Sequence, residues 1–278
     1  MDRETYRIYS GQSPRFEKNV VPVGARVQVL GLDKSLIPGC MVTEAGWYKQ
    51  DCIIPGLVKY ASGKVILFMG SDRERPNELN AEIEFWIEND KFTLTQSCAV
   101  WVPAGAACGN VRVSNLKKPV SFFAVQPTTD VDVPEPAEAT AAPGTYAANM
   151  VERFEPSNGK LPNAPEGLLT LVVWIDGGRI AGAPYAEGVW FNKVNDEGPE
   201  PHTHDYDEFL SFIGTDVEHP EELGCEVDFY IEDEPVKLTE SCLLYVPAGV
   251  KHSPFFIHNM TRPILHTSGY AGGDYQRG

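Results

Sequence analysis

"PNELNAEIEFWIENDKFTLTQSCAVWVPAGAAC" (76–108) aligns without a gap with "PEELGCEVDFYIEDEPVKLTESCLLYVPAGVKH" (220–252), at a constant offset of 144 residues. About half of the aligned positions are identical, which chance does not produce over a stretch of this length. A repeat of this strength predicts that the chain contains two copies of one structural unit.

The repeat extends well beyond these two stretches. Gly70-Ser71-Asp72 falls on Gly214-Thr215-Asp216 and, with a shift of one residue, Trp47 falls on Trp190. Between the copies, residues 131–147 are rich in Pro and Ala and poor in large apolar residues, as expected of a surface linker. We therefore expect an N-terminal unit over 1–130, a linker over 131–147 and a C-terminal unit over 148–278.

Both copies have the sequence pattern of β-strands. Apolar residues recur at period two or in short runs, as in "EIEFWIE" and "CAVWVPAG" of the first copy and "EVDFYIE" and "CLLYVPAG" of the second. Gly, Pro, Asn and Asp break these runs, and no long helical periodicity is present. The pattern predicts a duplicated all-β protein built as a sandwich, jelly roll or closed barrel.

Charge and composition exclude several classes of protein. The formal net charge of −16 disfavours nucleic acid and acidic membrane surfaces as partners. The charged first thirty residues resemble neither a secretory signal nor a membrane span, so we expect a cytoplasmic protein. The six cysteines have no regular spacing, which indicates buried, reduced thiols rather than a disulfide framework.

The histidines are confined to one copy of the repeat. All six lie in the second half, at His202, His204, His219, His252, His258 and His266. At the offset of 144, four residues of the second copy have unlike counterparts: His202 falls on Val58, His204 on Tyr60, Glu208 on Lys64 and His252 on Cys108. One His alone would more often be structural, but a coordinated change at four positions is typical of a site kept in one copy and lost in the other.

These four residues suit a metal ion. On a strand, His202 and His204 would point to the same face, Glu208 would begin the next strand, and His252 would approach from the turn after "VPAG". Three imidazoles and one carboxylate suit one divalent transition metal ion, which could be Fe(II), Mn(II), Ni(II), Cu(II) or Zn(II).

Two motifs of the second copy resemble those of the cupin superfamily. "GPEPHTHDYDEFLSFIG" (198–214) is similar to the Gly-led HxH…E…G motif, and "PAGVKH" (247–252) matches the PxG-x2-H motif. With the duplication, the whole chain resembles a bicupin, which implies two cupin-type jelly-roll barrels with a metal site only in the C-terminal one. The resemblance implies His202, His204, Glu208 and His252 as ligands, and a homodimer.

Several further residues are predicted to shape a ligand chamber in the second barrel. Those expected to line or cap it and to contact a substrate are Trp190, Asn192, Leu210, Phe212, Tyr230 and Phe256. Glu208, if released from the metal, and His266, if it faces the chamber, are the candidate catalytic acid or base groups.

Cupins perform varied chemistry, so three functions stay open. The first, for which Fe(II) is the favoured ion, is a non-haem dioxygenase acting on a small aromatic, enolic or oxo-acid substrate. The second is a non-redox metal-dependent isomerase, decarboxylase or hydrolase of a polar small molecule. The third is a metal-containing protein that only binds a small molecule.

The first copy cannot form the same metal site. Val58, Tyr60, Lys64 and Cys108 offer no set of nitrogen and oxygen ligands, and Lys64 places a cation where the second copy has a carboxylate. We expect this copy to stabilise the pair of barrels.

Overall fold

A computed structural model describes residues 8–10, 24–129, 134–152 and 166–273. Every regular element in these ranges is a β-strand, and none of them contains a helix able to cross a membrane. The prediction of an all-β fold is confirmed. The strands are β1 (Ile8–Tyr9), β2 (Arg26–Leu32), β3 (Val42–Tyr48), β4 (Cys52–Lys59), β5 (Lys64–Gly70), β6 (Glu78–Ile87), β7 (Asp90–Gln96), β8 (Cys98–Val102), β9 (Cys108–Ser114), β10 (Val120–Gln126), β11 (Glu135–Ala137), β12 (Met150–Glu152), β13 (Leu169–Ile175), β14 (Tyr185–Phe191), β15 (Glu208–Ile213), β16 (Glu222–Ile231), β17 (Glu234–Glu240), β18 (Cys242–Val246), β19 (His252–His258) and β20 (Ile264–Tyr270).

Each copy of the repeat folds as two antiparallel sheets that face each other. In the first barrel, a six-stranded sheet with the order β12-β8-β5-β10-β3-β2 covers a five-stranded sheet with the order β11-β4-β9-β6-β7. In the second barrel, a six-stranded sheet with the order β1-β18-β15-β20-β14-β13 covers a three-stranded sheet with the order β17-β16-β19. The repeat in the sequence is therefore also a repeat of strand topology.

The buried apolar residues form three clusters. One fills the first barrel and includes Phe68 and Phe85, and a second fills the second barrel and includes Phe212 and Phe229. The third lies between the two six-stranded sheets, where Phe123 of β10 stacks on Phe209 of β15 with ring centroids 5.4 Å apart. Strands such as β5 and β15 are consequently buried on both faces, one toward their own barrel and one toward the other barrel.

A matched pair of glycines allows strands to approach closely in both copies. A Cβ atom on Gly70 would lie 2.0 Å from the carbonyl oxygen of Glu78, and one on Gly214 would lie 1.9 Å from that of Glu222. No other residue could occupy either position without moving the backbone. The same local constraint is thus preserved in each unit.

The two barrels exchange short terminal strands. β1 pairs with β18 of the second barrel, and β12 pairs with β8 of the first barrel. Ile8 lies opposite Leu244 in one pair, and Met150 lies opposite Val100 in the other. The barrels are therefore linked by backbone hydrogen bonds as well as by their shared apolar core.

The described part of the predicted linker lies along the first barrel. β11 pairs with β4, the carboxylate of Glu88 accepts hydrogen bonds from the Thr140 and Ala141 amides, and that of Asp90 accepts from the Gly144 and Tyr146 amides. Residues 131–133 lie outside the described residues. The division of the chain at 131–147 stays a prediction.

All six cysteines lie within the described residues as buried free thiols. This agrees with the prediction of reduced thiols, and burial raises the pKa of Cys108 to about 11. A thiol with such a pKa is protonated at neutral pH and is a poor nucleophile.

Candidate metal centre

Four side chains of the second copy come together at one end of the second barrel. Glu208 is the first residue of β15 and His252 is the first residue of β19. His202 is joined to His252 by two backbone hydrogen bonds of 3.0 Å, as an isolated bridge rather than as part of a strand. His204 lies in the irregular segment that follows, so the predicted strand through both histidines is replaced by a single bridge.

The distances between these side chains are short. Potential ligand atoms of His202, His204 and His252 all lie within 4.8 Å of one another. The Oε2 atom of Glu208 lies 3.1 Å from Nε2 of His252 and 3.7 Å from Nε2 of His204. The structure thus brings all four predicted residues together.

Backbone carbonyl groups orient two of the three imidazole rings. Nδ1 of His202 lies 2.7 Å from the Glu200 carbonyl oxygen, and Nδ1 of His252 lies 3.1 Å from that of Val250. A carbonyl oxygen only accepts hydrogen bonds, so each Nδ1 carries the proton. In the neutral rings, Nε2 therefore keeps its lone pair for another partner.

The surroundings shift the pKa values of two histidines in opposite directions. Burial lowers the pKa of His204, although the nearby Glu208 carboxylate acts against this change. Burial would also lower the pKa of His252, but Glu208 and the Val250 carbonyl outweigh it and raise that pKa. Glu208 thus acts in the same direction on both rings, and only at His252, where the Val250 carbonyl also contributes, does this effect outweigh burial.

The arrangement leaves buried polar atoms without a hydrogen bond. Nε2 of His252 and Oε2 of Glu208 are buried, and neither has a hydrogen-bond partner of acceptable geometry, despite their close approach. Leaving such atoms unsatisfied costs free energy, on the order of 1–3 kcal/mol each. A cation between the imidazole nitrogens and the carboxylate would satisfy them, and the donor set suits a divalent transition metal ion.

Neighbouring residues hold the segments that carry these side chains. Asp207 accepts a hydrogen bond of 2.8 Å from the Ala248 amide, and its other carboxylate oxygen lies 2.5 Å from the Tyr245 hydroxyl. The ring of Tyr206 stacks between those of His204 and Tyr270, with centroids 4.6 Å and 3.8 Å away. Tyr206 and Tyr270 also line a cleft of about 510 Å³ at the junction of the two barrels.

Two of the predicted chamber residues point into the second barrel. Leu210 and Phe212 belong to the apolar cluster that fills it. His266 is buried beside Phe212 and Phe191, with ring centroids 4.8 Å and 5.5 Å away. Burial lowers the pKa of His266 to about 4, although the Ser211 backbone and Glu208 act in the opposite direction. The ring is therefore neutral at pH 7.

The other predicted chamber residues lie elsewhere. Trp190 is buried in the cluster between the barrels, because alternate residues of β14 face opposite sides of a sheet that is covered on both. Tyr230 and Phe256 pack on each other, 5.9 Å apart, on the outer face of the three-stranded sheet. Asn192 lies beyond the end of β14, where its amide donates to the Thr170 hydroxyl at 3.1 Å.

Three aromatic residues that the sequence analysis did not select occupy the barrel interior instead. Phe191, Phe229 and Phe255 are buried there, and Phe229 is stacked 6.5 Å from the ring of His252. The alternation of "EVDFYIE" indicated Phe229 rather than Tyr230 as an inward residue. No comparable signal marked Phe191, since every residue of β14 but one is buried.

The equivalent position in the first barrel contains an ion pair. Val58 pairs with Cys108, as His202 pairs with His252, and Lys64 begins β5 as Glu208 begins β15. Nζ of Lys64 lies 2.7 Å from a carboxylate oxygen of Glu44. Of the four counterparts in the first barrel, Val58, Tyr60, Lys64 and Cys108, only Cys108 is of a residue type that commonly binds metal ions. These four residues therefore cannot hold an ion as their counterparts in the second barrel could.

Comparisons by sequence find no matching family model and no matching curated protein. By structure, the chain is similar to a mutant oxalate decarboxylase from Bacillus subtilis, with a TM-score of 0.58, 11% identity, and coverage of 97% of this chain and 78% of that one. A Bacillus subtilis oxalate decarboxylase structure that concerns its Mn(II) centres matches with a TM-score of 0.58, 9% identity and the same coverage.

AerE from Microcystis aeruginosa also has a similar structure. It matches with a TM-score of 0.50 and 12% identity, covering 84% of this chain and 88% of that one. At such identities, structural similarity concerns the arrangement of strands and not the chemistry. The chain is therefore an all-β protein with a duplicated cupin-type fold.

Proposed function

We propose that this protein is a mononuclear metal-dependent enzyme whose centre is formed by His202, His204, Glu208 and His252. The observation that carries the proposal is the convergence of three imidazoles and a carboxylate whose buried Oε2, like Nε2 of His252, has no hydrogen-bond partner. The proton positions on His202 and His252 favour the same role, because they leave both Nε2 atoms able to bind a metal ion.

The residues around this centre favour a substrate that is largely apolar or aromatic. Phe191, Phe212, Phe229 and Phe255 surround the interior, and no lysine or arginine is buried in the described part of the second barrel. A polyanionic substrate would find no side-chain cation there. A phenol, an enol or an oxo acid that binds the metal through oxygen suits this environment better.

The reaction we propose is oxygenation of such a substrate. A bound Fe(II) ion with open coordination positions would supply the chemistry that brings dioxygen and substrate together. The phenylalanine rings would exclude water from the reacting atoms, and the neutral His266 could donate or accept a hydrogen bond without adding charge.

A second candidate is non-redox proton-transfer chemistry, such as a decarboxylation or an isomerisation. His266 supports it, because a neutral imidazole beside the substrate space can take up or release a proton. Glu208 would be the alternative base. The similarity in fold to an oxalate decarboxylase with Mn(II) centres also favours this candidate.

Metal analysis tests the proposed centre directly. We expect about one equivalent of transition metal per chain in the wild-type protein and almost none in His202→Ala or His252→Ala. His258→Ala is the matched control, because His258 lies on the exposed side of β19, 3.3 Å from Asp228. Cys108→Ala should likewise keep its metal. Equal metal content in all four variants would contradict the proposal.

Oxygen consumption separates the candidate reactions. The apoprotein is reconstituted with Fe(II) or Mn(II) without air, and turnover of catechols and enolic oxo acids is followed in oxygenated buffer and under argon. Consumption of dioxygen in step with substrate supports the dioxygenase, and substrate loss under argon supports the non-redox enzyme. Metal binding without turnover in either buffer would indicate a metal-containing protein that only binds its ligand.

A further inference from the structure

The first barrel contains a buried cluster with more positive than negative side chains. Nζ of Lys64 lies 2.7 Å from Oε1 of Glu44, and Nη2 of Arg26 lies 3.0 Å from Oε2 of the same carboxylate. Two cations thus share one anion at the end of the barrel that corresponds to the candidate metal centre of the second barrel.

Among the described residues, no other acidic group paired with Lys64 or Arg26 balances the charge of the cluster. Burial would raise the pKa of Glu44, but Lys64 and Arg26 outweigh it and lower that pKa to about 2, so the carboxylate is ionised at neutral pH. Cys108, which also faces Lys64, has a pKa raised to about 11 by burial and stays a neutral thiol. At neutral pH, the described residues of the cluster therefore carry one excess positive charge.

The two cations have unused hydrogen-bond donors. Lys64 donates to Glu44 and, at 3.4 Å, to the hydroxyl of Tyr60, which leaves the third N–H of its ammonium group without an acceptor among the described residues. Nε of Arg26 is buried and has no partner there, although Nη2 donates to Gln28 and Glu44. The Lys64 ammonium could bind an acceptor supplied from outside the protein, whereas Nε of Arg26 has no accessible surface, so Arg26 contributes through its charge.

The cluster is buried but not sealed. The exposed fractions of the Lys64, Arg26 and Glu44 side chains are 10%, 12% and 14%, so each keeps a small solvent-accessible surface. Aromatic rings pack against both cations. The Arg26 guanidinium lies 3.7 Å above the centroid of the Phe122 ring, and Nζ of Lys64 lies 4.8 Å from that of the Tyr60 ring. A buried excess charge is costly, and an anion that enters would offset this cost.

We propose that the first barrel is a binding site for a small organic monocarboxylate, held between Lys64 and Arg26. A single negative charge matches the single excess positive charge of the cluster. A carboxylate would accept a charge-assisted hydrogen bond from Lys64 and be attracted by the charge of Arg26, and the half-buried ring of Tyr60 provides an apolar surface for the organic part of the ligand. This site is independent of the metal centre proposed for the second barrel.

Calorimetric titration of the full chain with sodium benzoate and sodium acetate tests the site. The protein is first stripped of metal with a chelator, so that carboxylates cannot bind through a metal ion. We expect saturable binding of benzoate, weaker binding of acetate and no binding of the neutral isostere benzamide. A titration with sodium chloride at the same ionic strength is a further control. Equal binding of chloride would contradict a carboxylate site.

Variants that remove one positive charge test whether Lys64 and Arg26 bind the benzoate. Lys64→Met and Arg26→Met should each weaken benzoate binding at least about tenfold, since each removes a positive charge that attracts the carboxylate. Lys49→Met is the matched control, because Lys49 pairs with Glu218 elsewhere on the molecule at 2.6 Å. Unchanged affinity in both folded variants would overturn the proposal, as would the absence of benzoate binding to the wild-type protein.

A second measurement covers the case in which the Lys64 variant does not fold. Benzoate should raise the thermal midpoint of the wild-type protein and of His252→Ala by the same amount, because the site lies in the other barrel. A rise in the wild type that disappears in His252→Ala would place the ligand in the second barrel and contradict the proposal. The result expected for benzoate does not depend on whether the second barrel binds a metal ion.

Discussion

Among single residues, Glu44 carries the negative charge of the buried cluster in the first barrel. Its folded-state pKa of about 2 lies below the ordinary value of 4.5. A group with a lowered folded-state pKa stabilises the fold above the unfolded-state pKa, and this contribution is lost as the pH falls toward the folded-state value. The window for Glu44 is therefore pH 4.5 down to about 2.

We expect Glu44→Gln to lower the free energy of unfolding by about 3 kcal/mol at pH 7 and by about half of that at pH 3. Urea denaturation at both pH values measures the difference between the variant and the wild type. Glu234→Gln is the control, since Glu234 is exposed at the start of β17. A difference that stays constant from pH 7 to pH 3 would contradict the pKa of Glu44 given above.

The candidate ligands were predictable from single residues, because four positions differ together between two otherwise similar copies. The residues expected to line a ligand chamber were harder to predict. A side chain in a strand that is buried on both faces gives no sign of which face it occupies, and this is why Trp190 was expected in the chamber.

Among the strands, an irregularity in the pairing of β19 decides which of its residues face the interior of the second barrel. His252 lies opposite Ile231, but after a register shift Phe255 lies opposite Phe229. Counting every second residue from His252 would place Phe256 inside, whereas the bulge places Phe255 and Ile257 there. The sequence pattern predicts the strand but gives no sign of the bulge within it.

The contact between Asp207 and β18 is a second feature at this scale. Asp207 accepts from the Ala248 amide and lies 2.5 Å from the Tyr245 hydroxyl, whose oxygen is also 2.5 Å from the Gly39 carbonyl oxygen of the first barrel. These contacts hold the segment that carries His204 against the turn before His252.

We expect Tyr245→Phe to reduce metal affinity about tenfold, because a ligand-bearing segment loses an orienting contact. The free energy of unfolding should fall by only about 1 kcal/mol, the typical net contribution of one hydrogen bond. Competition with a metal chelator measures the affinity. Tyr230→Phe, on the outer face of β16, is the control and should bind metal as tightly as the wild type.

At the scale of the whole molecule, the two barrels share one apolar core and exchange β1 and β12. Phe123 and Phe209 stack across that core and are almost fully buried. Because each barrel completes the other, we expect them to unfold together in a single transition.

Phe123→Ala should lower the free energy of unfolding by about 3–5 kcal/mol, the usual cost of removing a buried phenylalanine ring. Denaturation followed by circular dichroism and by tryptophan fluorescence should give one midpoint, shifted equally for both probes. Phe256→Ala, on the outer sheet, should cost far less. Two separate midpoints in the Phe123 variant would show that the barrels unfold independently.

The homodimer and the cytoplasmic location stay predictions. Light scattering on the purified protein would measure the mass of the assembly, against 30.7 kDa for one chain.

The duplication, the all-β class and the four candidate ligands could be predicted without coordinates, because each follows from comparing aligned positions or from local alternation. The folded arrangement was needed to show which aromatic residues fill the second barrel, that His266 is buried among them, and that Lys64 and Arg26 share Glu44. These depend on which face of a doubly covered sheet a residue occupies and on bulges that change the alternation. Both arise from packing between strands far apart in the chain, which no local pattern records.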